Sequence, residues 1–244
     1  MNASVNQTGQ EESHDVVVVG SGAGALLAAC RAHDNGLSVL MVEKTAKFGG
    51  TSAVSGGALW IPNNDHIARD GGNDSAEDAY AYLKAATKGE VPESRLRAYV
   101  DTAPQMLRYV EDKTHVRFNA VPLYADYYQD LPGAKKGYRT LDPAAFDGRL
   151  IGKEILRMRE TSPTMLIFGR ISMTTFEAVT LLARIPGWFK LALRLGFRYA
   201  LDLPWRLLQK RDRRLAMGAA LVGGLRRSAM DRGIELRFET PLQS

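Results

Sequence analysis

The sequence predicts an α/β fold that begins with a Rossmann-like dinucleotide-binding unit. Four valines at 16–19 form an apolar block, a cluster of glycines follows it directly, and a helix-forming stretch comes next. A second apolar run at 38–42 ends in Glu43. This order of strand, glycine turn, helix, strand and acid is typical of a site that binds a dinucleotide across the end of a parallel sheet.

The first strand and the turn after it form the core of this prediction. Because 16–19 is a continuous β-branched run, we expect a strand that is buried on both faces. The turn reads Gly20-x-Gly22-x-x-Ala25. Gly20 permits the tight turn, Gly22 lets the backbone approach a pyrophosphate, and Ala25 is small enough for the helix to pack on the strand.

The helix and the second strand complete the unit. We predict a helix over 25–35 that ends at Gly36, and its N-terminal N–H groups would face the phosphates. Glu43 would accept hydrogen bonds from the ribose hydroxyls of an adenosine. A glycine turn in an unrelated α/β protein is the alternative, and the full context of strand, helix and acid disfavours it.

The segment 43–64 separates flavin binding from nicotinamide binding. Two Gly-Gly pairs, at 49–50 and 56–57, flank small and hydroxylated residues where a plain nicotinamide domain would continue into a helix. We expect this segment to lie along a long cofactor and to donate backbone N–H groups to it. A flexible surface loop is the alternative, and the apolar residues within the segment argue against it.

Composition and charge narrow the function classes. The chain has 244 residues, of which 45% are hydrophobic, and a net charge of +5. That length allows one large domain or two small ones. No zinc-ligand spacing or RNA-binding signature accompanies the basic excess, so we expect no nucleic-acid partner. The four histidines are scattered, so we expect no metal site.

Sequence features near the N-terminus and the single cysteine indicate the compartment. Residues 1–13 are polar and lack the basic and apolar regions of a signal peptide, so we predict a disordered tail. No apolar run is long enough to span a bilayer. Cys30, the only cysteine, is expected to be a small core residue in a reducing environment. We therefore expect a cytoplasmic protein.

Four stretches carry a family resemblance that covers nearly the whole chain from Asp15. They are VVVVGSGAGALLAA with VEKTAKFGGTSAVSGGALWIPNN, then PLYADYYQDLPGAKKGYRTLDPAAFDGRLIG at 122–152, FGRISMT at 168–174 and RDRRLAMGAALVGGL at 211–225. They resemble the FAD-binding start of the fumarate-reductase-type flavoproteins. Within that superfamily they are most similar to the 3-ketosteroid delta-1 dehydrogenases, and SGGALWIPNN is the most specific part.

The resemblance implies FAD as the cofactor. In succinate dehydrogenases and related quinone-linked fumarate reductases a histidine near the Gly-Gly pair attaches the flavin, whereas here Gly50 precedes Thr51 and no histidine lies nearby, so we predict non-covalent FAD. The predicted cofactor-binding residues are Gly20, Ser21, Gly22, Ala23, Gly24, Ala25, Glu43, Lys44, Thr45, Gly49, Gly50, Thr51, Ser52, Ser55, Gly56 and Gly57.

The resemblance also implies a catalytic role for a tyrosine. A family tyrosine in a similar Asp-Tyr context assists a second tyrosine, which takes a proton from the carbon next to the ketone. Tyr127 is our candidate, with Tyr124 and Tyr128 as residues of the substrate cavity, of which Tyr128 is the less well placed to reach the site. A half-buried packing role for Tyr127 remains an equal alternative.

The middle of the chain is predicted to hold two helices and then a substrate domain. Residues 75–89 and 92–112 have helix start signals followed by acidic first turns. The tyrosine-rich stretch 124–138 is not helical, and we expect it to open an α+β domain inserted into the FAD-binding domain.

The apolar stretch 185–208 admits two interpretations. Lys190, Arg194, Arg198 and Asp202 form one narrow polar stripe on a helix interrupted by Gly196 and Pro204. A helix buried over most of its surface is the favoured interpretation. An interfacial helix that touches the membrane, and gives a hydrophobic substrate a route in, is the alternative.

The chain then returns to the FAD-binding domain. The run MGAALVGGLRRSAMDRG predicts a helix, and IELRFETPL predicts a half-buried strand. We therefore divide the chain into a tail (1–13), a first FAD-binding segment (14–112), the first part of the substrate domain (113–205) and a second FAD-binding segment (206–244). Family members are longer, so we expect an incomplete sheet and a truncated C-terminal part.

Three hypotheses about function remain open. The first is a 3-ketosteroid dehydrogenase, or its N-terminal half, that passes a hydride to flavin N5 and is reoxidised by an external, quinone-like acceptor. The second is a related flavoprotein, such as a delta-4 steroid dehydrogenase or a fumarate-reductase-like enzyme. The third is a non-catalytic truncated remnant with a binding or membrane-associated role.

Overall fold

A computed structural model describes residues 12–242 of the chain, so most of the predicted N-terminal tail lies outside the described residues. The chain folds into mixed helices and short strands. The strands are β1 (Val16–Val19), β2 (Val39–Val42), β3 (Leu59–Trp60), β4 (Phe118–Ala120), β5 (Thr140–Pro143), β6 (Phe146–Asp147), β7 (Leu166–Ile167), β8 (Ile171–Ser172), β9 (Arg214–Leu215) and β10 (Glu235–Arg237).

Eight α-helices and three 3-10 segments connect the strands within residues 12–242. The helices are α1 (Ala23–Asp34), α2 (Asp65–Arg69), α3 (Ala76–Ala86), α4 (Glu93–Lys113), α5 (Thr175–Leu182), α6 (Trp188–Leu201), α7 (Leu203–Leu208) and α8 (Met217–Asp231). The 3-10 segments are Ser52–Val54, Gly148–Arg157, which is kinked at Gly152, and Pro163–Met165.

The predicted strand–turn–helix–strand unit is present. β1 and β2 pair in parallel across α1, and β10 adds a third parallel strand beside β2, giving the order β1-β2-β10. All four residues of β2 are buried. The helix begins at Ala23, two residues before the predicted start, because Gly22 already has the extended backbone of a cap residue.

The prediction that β1 is buried on both faces is wrong for the described residues. Val16 and Val18 pack against the core, whereas Val17 and Val19 are 52% and 56% exposed. The physical reason is position, since β1 is at an edge of this sheet and pairs only with β2. A run of valines indicates a hydrophobic strand, but it does not indicate which face of that strand the tertiary structure covers.

The helix α8 lies at the centre of the core, as its small residues predict. Twelve of its residues are buried, and it contacts α1, β5, β6 and the turn Ser52–Val54. The glycines permit this contact: a Cβ atom on Gly218 would lie 1.9 Å from the carbonyl oxygen of Ser52, and one on Gly57 would lie 2.5 Å from the Gly218 nitrogen. Cys30 is also fully buried, as predicted.

The predicted middle helices are confirmed as α3 and α4. The Ser75 hydroxyl caps α3 by accepting a hydrogen bond from the Asp78 backbone N–H. A second sheet, in the order β3-β5-β4, is antiparallel. The tyrosine-rich residues 124–138 connect β4 to β5 without a regular element, as predicted.

The favoured interpretation of 185–208 as a buried helix is wrong for the described residues. The stretch forms α6 and α7, which meet at Asp202, and Gly196 lies inside α6 without interrupting it. Leu195 is the one buried residue of α6. Part of the polar stripe faces the protein, since Asp202 forms an ion pair with Arg213. Most apolar side chains of α6 and α7 therefore face outward.

No helix within residues 12–242 is long and apolar enough to cross a bilayer.

We expect Gly218→Ala to lower the free energy of unfolding by about 2–3 kcal/mol, because its methyl group would overlap the Ser52 carbonyl and force the backbone apart. Gly196→Ala is the matched control. It also lies in a helix, but nothing is within 4 Å of its Cβ position, so alanine should stabilise the protein by up to about 1 kcal/mol. Urea denaturation followed by circular dichroism measures both; equal effects of the two substitutions would contradict the packing of α8 described above.

Candidate functional site

The glycine turn after β1 leaves open space at the start of α1. Gly20 has a φ of +97°, which favours glycine, and its N–H donates to the Val42 carbonyl at 2.7 Å. A Cβ atom on Gly24 would meet nothing within 4 Å, and one on Gly22 would make only an ordinary contact with the Ser52 hydroxyl at 3.5 Å. The protein itself therefore does not fill the space that side chains here would occupy.

The N-terminus of α1 offers donors to that space. The N–H groups of a first helical turn lack acceptors within the helix and carry a partial positive charge. The Ser52 hydroxyl accepts a bond from the Ala23 N–H at 3.2 Å. The amides of Gly24 and Ala25 follow in the same turn. The arrangement suits an anion such as a pyrophosphate, which is the fit expected for FAD.

A buried carboxylate stands beside the turn. Glu43 is 7% exposed, and its two oxygens accept bonds from the Ser21 hydroxyl at 2.5 Å and from the Thr45 N–H and hydroxyl at 3.0 Å. Burial acts to raise the pKa of Glu43, but these hydrogen bonds outweigh it and hold the pKa below its usual value. A carboxylate has about four acceptor positions, so Glu43 keeps capacity for a ribose hydroxyl.

The Ser21 side chain joins three parts of the site. Its hydroxyl donates to Glu43 and accepts a bond from the Gly49 N–H at 3.2 Å. The residue is 1% exposed. Ser21 thus holds the glycine turn, the acid and the first Gly-Gly pair in one arrangement, a scaffold role that the glycine fingerprint does not indicate.

The two Gly-Gly pairs divide between packing and the open space. Gly49 and Gly57 pack against other parts of the protein, since a Cβ atom on Gly49 would lie 2.8 Å from that of Ala53 and Gly57 crosses α8. Their N–H groups donate to Ser21 and Ser55. Gly50 faces the turn instead, because its Cβ position is 3.6 Å from the Gly22 Cα atom.

The remaining predicted cofactor residues form no hydrogen bond with the glycine turn or with Glu43 within residues 12–242. The hydroxyl of Ser55 donates to the Ser52 carbonyl and stabilises the local turn. A Cβ atom on Gly56 would meet nothing within 4 Å. Lys44 and Thr51 are exposed beside the turn and the acid. Their contact with a cofactor stays a prediction.

An aromatic cavity of about 240 Å³ lies where the same segment ends. Its lining residues are Ala58, Leu59, Trp60, Tyr82, Leu83, Tyr124, Ala125, Asp126, Tyr127 and Thr140. The segment 49–60 therefore runs from the glycine turn, where Gly50 faces Gly22, to the cavity, where Trp60 forms a wall.

The three tyrosines of the prediction differ in placement. Tyr124 and Tyr127 line the cavity, whereas Tyr128 does not. Tyr127 is 84% exposed, which argues against the packing alternative. A hydrogen bond between the two hydroxyls raises the pKa of Tyr124, so Tyr124 stays protonated at neutral pH.

Trp60, Tyr82 and Asp126 are cavity residues that the sequence interpretation did not single out. The Trp60 ring stacks on Tyr99 with centroids 6.2 Å apart and lies 5.8 Å from Tyr82. The specific SGGALWIPNN run was the available signal for Trp60. No local signal places Tyr82 here, because its helix α3 reaches the cavity only through the tertiary fold.

Comparisons with known proteins place the chain in an FAD-binding family. A profile of the FAD-binding domain family matches residues 15–244. Over 235 residues the chain is 41% identical to the 3-oxosteroid 1-dehydrogenase of Comamonas testosteroni. That match covers 96% of this chain and 41% of the relative. Over 131 residues it is 47% identical to the 4-oxocyclohexanecarboxylate 2-dehydrogenase of Sinomonas cyclohexanicum. That match covers 54% of this chain and 23% of the relative.

A solved structure is similar along the same length. The crystal structure of 3-ketosteroid delta1-dehydrogenase from Sterolibacterium denitrificans, in complex with 1,4-androstadiene-3,17-dione, matches with a TM-score of 0.90 at 50% identity. The match covers 95% of this chain and 41% of that one. The chain thus spans about two fifths of the length of these steroid dehydrogenases.

We expect Ser21→Ala to weaken FAD binding about tenfold, because it removes a hydrogen bond to the charged Glu43 carboxylate. Burial then opposes ionisation with one hydrogen bond fewer, so the pKa of Glu43 rises. As the pH falls, the Glu43 carboxylate becomes protonated and the affinity for FAD drops. This drop should occur at a higher pH in the variant than in the wild type. Titration of apoprotein with FAD at several pH values measures this.

Ser162→Ala is the control for this prediction. Its hydroxyl contacts only Thr164 among the described residues and lies outside the site. An unchanged FAD affinity and pH profile in Ser21→Ala would contradict the scaffold role.

Proposed function

The chain belongs to the FAD-binding domain family, and from this membership we propose that it forms the cofactor-binding part of an FAD-dependent 3-ketosteroid dehydrogenase. The observation that carries the proposal is the open glycine turn beside ionised Glu43, joined by one segment to an aromatic cavity. The similarity to steroid dehydrogenases over 96% of the chain supports the substrate class.

The residues of the turn hold the cofactor in this proposal. The N–H groups at the start of α1 bind the pyrophosphate, and Glu43 binds the adenosine ribose. The flavin is held without a covalent bond, since the chain has no histidine between His33 and His66. Bound FAD supplies the hydride acceptor for removal of two hydrogens from a carbon–carbon bond next to a ketone. An external, quinone-like acceptor reoxidises it.

The cavity tyrosines transfer the proton that is removed from the substrate. Tyr127, whose side chain is 84% exposed, would pass to solvent the proton that the base removes from the carbon next to the ketone, and protonated Tyr124 donates a hydrogen bond to the Tyr127 oxygen. The base that removes the proton is expected in the portion of the relatives that this chain does not cover. The apolar rings of Trp60 and Tyr82 pack against the steroid.

The lining of the cavity favours a neutral cyclic ketone over a dicarboxylate. Asp126 is the only charged residue among those that line it. A fumarate-reductase-like enzyme requires cationic side chains that bind carboxylates, and none is among the residues that line this cavity. A non-catalytic remnant is the second candidate, because the chain spans about two fifths of its relatives.

The domain division follows the same proposal. Residues 14–112 and 206–244 form the FAD-binding domain, and 113–205 begin an inserted α+β substrate domain. Support comes from β10, which pairs in parallel with β2, and from α8, which packs on α1.

Flavin retention tests the proposal first. We expect the purified chain, after loading with FAD and desalting, to keep the flavin absorbance bands and to release free flavin on acid precipitation. Turnover is then measured with 4-androstene-3,17-dione and a dye acceptor, in a polypeptide extended to the relatives' length if the 244-residue chain gives none. A colourless protein would favour the remnant.

In the active form, Tyr127→Phe should lower kcat about a hundredfold or more, because a phenylalanine cannot relay a proton. Tyr128→Phe is the matched control, since it removes the same hydroxyl one residue away and outside the cavity. Equal kcat values for the two variants would contradict the role of Tyr127.

We also propose that α6 and α7 contact the surface of a membrane peripherally, on its cytoplasmic side. Their exposed apolar side chains are Trp188, Phe189, Leu193, Phe197, Leu201, Leu203, Leu207 and Leu208. Lys190 and Arg194 are exposed on the same helix. An apolar face beside basic residues is typical of helices that bind anionic lipid.

The double substitution Phe189→Ser with Phe197→Ser should reduce co-sedimentation with vesicles that contain phosphatidylglycerol by several-fold, because two exposed rings are removed from the contact. Leu123→Ser removes an even more exposed apolar side chain outside these helices and is the control. Wild-type protein that stays in the supernatant would exclude the lipid contact.

A further inference from the structure

Asp126 is buried directly before the exposed Tyr127. Its side chain is 2% exposed. One carboxylate oxygen accepts the Trp60 indole N–H at 2.7 Å. The other accepts Arg139 Nη1 at 2.7 Å and the Lys135 backbone N–H at 2.9 Å. Three donors, one from Trp60 and two from the stretch 135–139, therefore hold this carboxylate in one orientation.

The backbone of the same residue is held as well. The Asp126 N–H donates to the Lys135 carbonyl at 2.9 Å, and the Asp126 carbonyl accepts the Gln129 side-chain amide at 2.8 Å. Residues 124–138 have no regular secondary structure. Asp126 therefore supplies, through its side chain and its backbone, part of the anchoring that a helix or strand would normally provide.

Arg139 balances the charge at the anchor. It is 1% exposed and also binds Asp74 through two nitrogens, at 2.6 and 2.8 Å. Burial acts to lower the pKa of Arg139, but the two carboxylates outweigh it, so the guanidinium stays charged. The group contains two carboxylates and one guanidinium, and loss of the Asp126 charge would leave a matched Arg139–Asp74 pair.

Tyr127 directly follows the anchored residue in the chain. Its ring is 84% exposed, and Tyr124 is the neighbour whose hydroxyl it bonds. Asp126 connects the backbone at Tyr127 to the Trp60 wall of the same cavity.

We propose that Asp126 is the positioning residue of the tyrosine site, which fixes Tyr127 and Tyr124 relative to Trp60 through its bonds to the indole and to Arg139. The inference rests on the proposed function of the cavity. It predicts that the Asp126 charge matters for ligand geometry even though the carboxylate takes no part in the chemistry.

The test compares Asp126→Asn with Asp130→Asn in the FAD-loaded chain. Both remove one carboxylate from the same segment, and Asp130 is exposed. An asparagine amide directed at Arg139 and the Lys135 N–H would place donors against donors. We expect Asp126→Asn to weaken the affinity for 4-androstene-3,17-dione about tenfold or more, with FAD affinity within about twofold of wild type, and Asp130→Asn to change neither.

A second readout does not need the steroid. Ultraviolet titration of the phenols should show the titration of Tyr124 shifted to lower pH in Asp126→Asn, because the bond to Tyr127 that raises its pKa is lost. Tyr127→Phe should produce a similar shift. A merely structural role of Asp126 would change stability without this specific shift in a folded variant.

The outcomes separate the two proposals. If wild type binds no steroid but Asp126→Asn shifts the phenol titration, the positioning role stands and the steroid function fails. Wild-type steroid affinity together with an unshifted titration in folded Asp126→Asn would overturn the positioning role. If that variant does not fold, Arg139→Lys replaces it. The positive charge at position 139 remains, but one ammonium cannot bind Asp74 and Asp126 together as the guanidinium does. The same two readouts then apply.

Discussion

The close approach of the α8 backbone to the segment after Glu43 is the constraint on which the rest of the structure depends. Gly218 and Gly57 leave no room for side chains where the two backbones cross. This crossing brings α8 against α1 and the Ser52–Val54 turn. Because β10 follows α8, its position beside β2 depends on the same crossing, and so does the position of Ser52 at the start of α1.

The two parts of the candidate site follow one electrostatic pattern. In each, a buried carboxylate receives hydrogen bonds from several donors, at least one of them distant in the chain, and lies next to open space. Glu43 receives Ser21 and Thr45 beside the glycine turn, and Asp126 receives Trp60 and Arg139 beside the cavity. A buried charge costs much less when several donors satisfy it, and each such carboxylate becomes a rigid point from which a ligand surface can be built.

Apolar surface is distributed differently from what hydrophobic runs alone indicate. Val17 and Val19 alternate outward from an edge strand, and α6 directs most of its apolar side chains to the outside while Asp202 binds Arg213. Both stretches are hydrophobic enough for a core. Their exposure arises because packing is decided by which elements lie alongside, and β1 has a strand on one side only within the described chain.

The sequence by itself determined the dinucleotide-binding unit, the middle helices, the glycine-rich helix α8 and the FAD-binding family, because each depends on local backbone preferences or on short motifs with a mechanical reason. Only the tertiary structure decided that Ser21 is a scaffold for Glu43, that Gly49 and Gly57 pack while Gly50 faces the turn, and that Asp126 binds Arg139. These are contacts between residues far apart in the chain. Local pattern cannot specify them, since a hydroxyl, a glycine or a carboxylate has no role until folding supplies its neighbours.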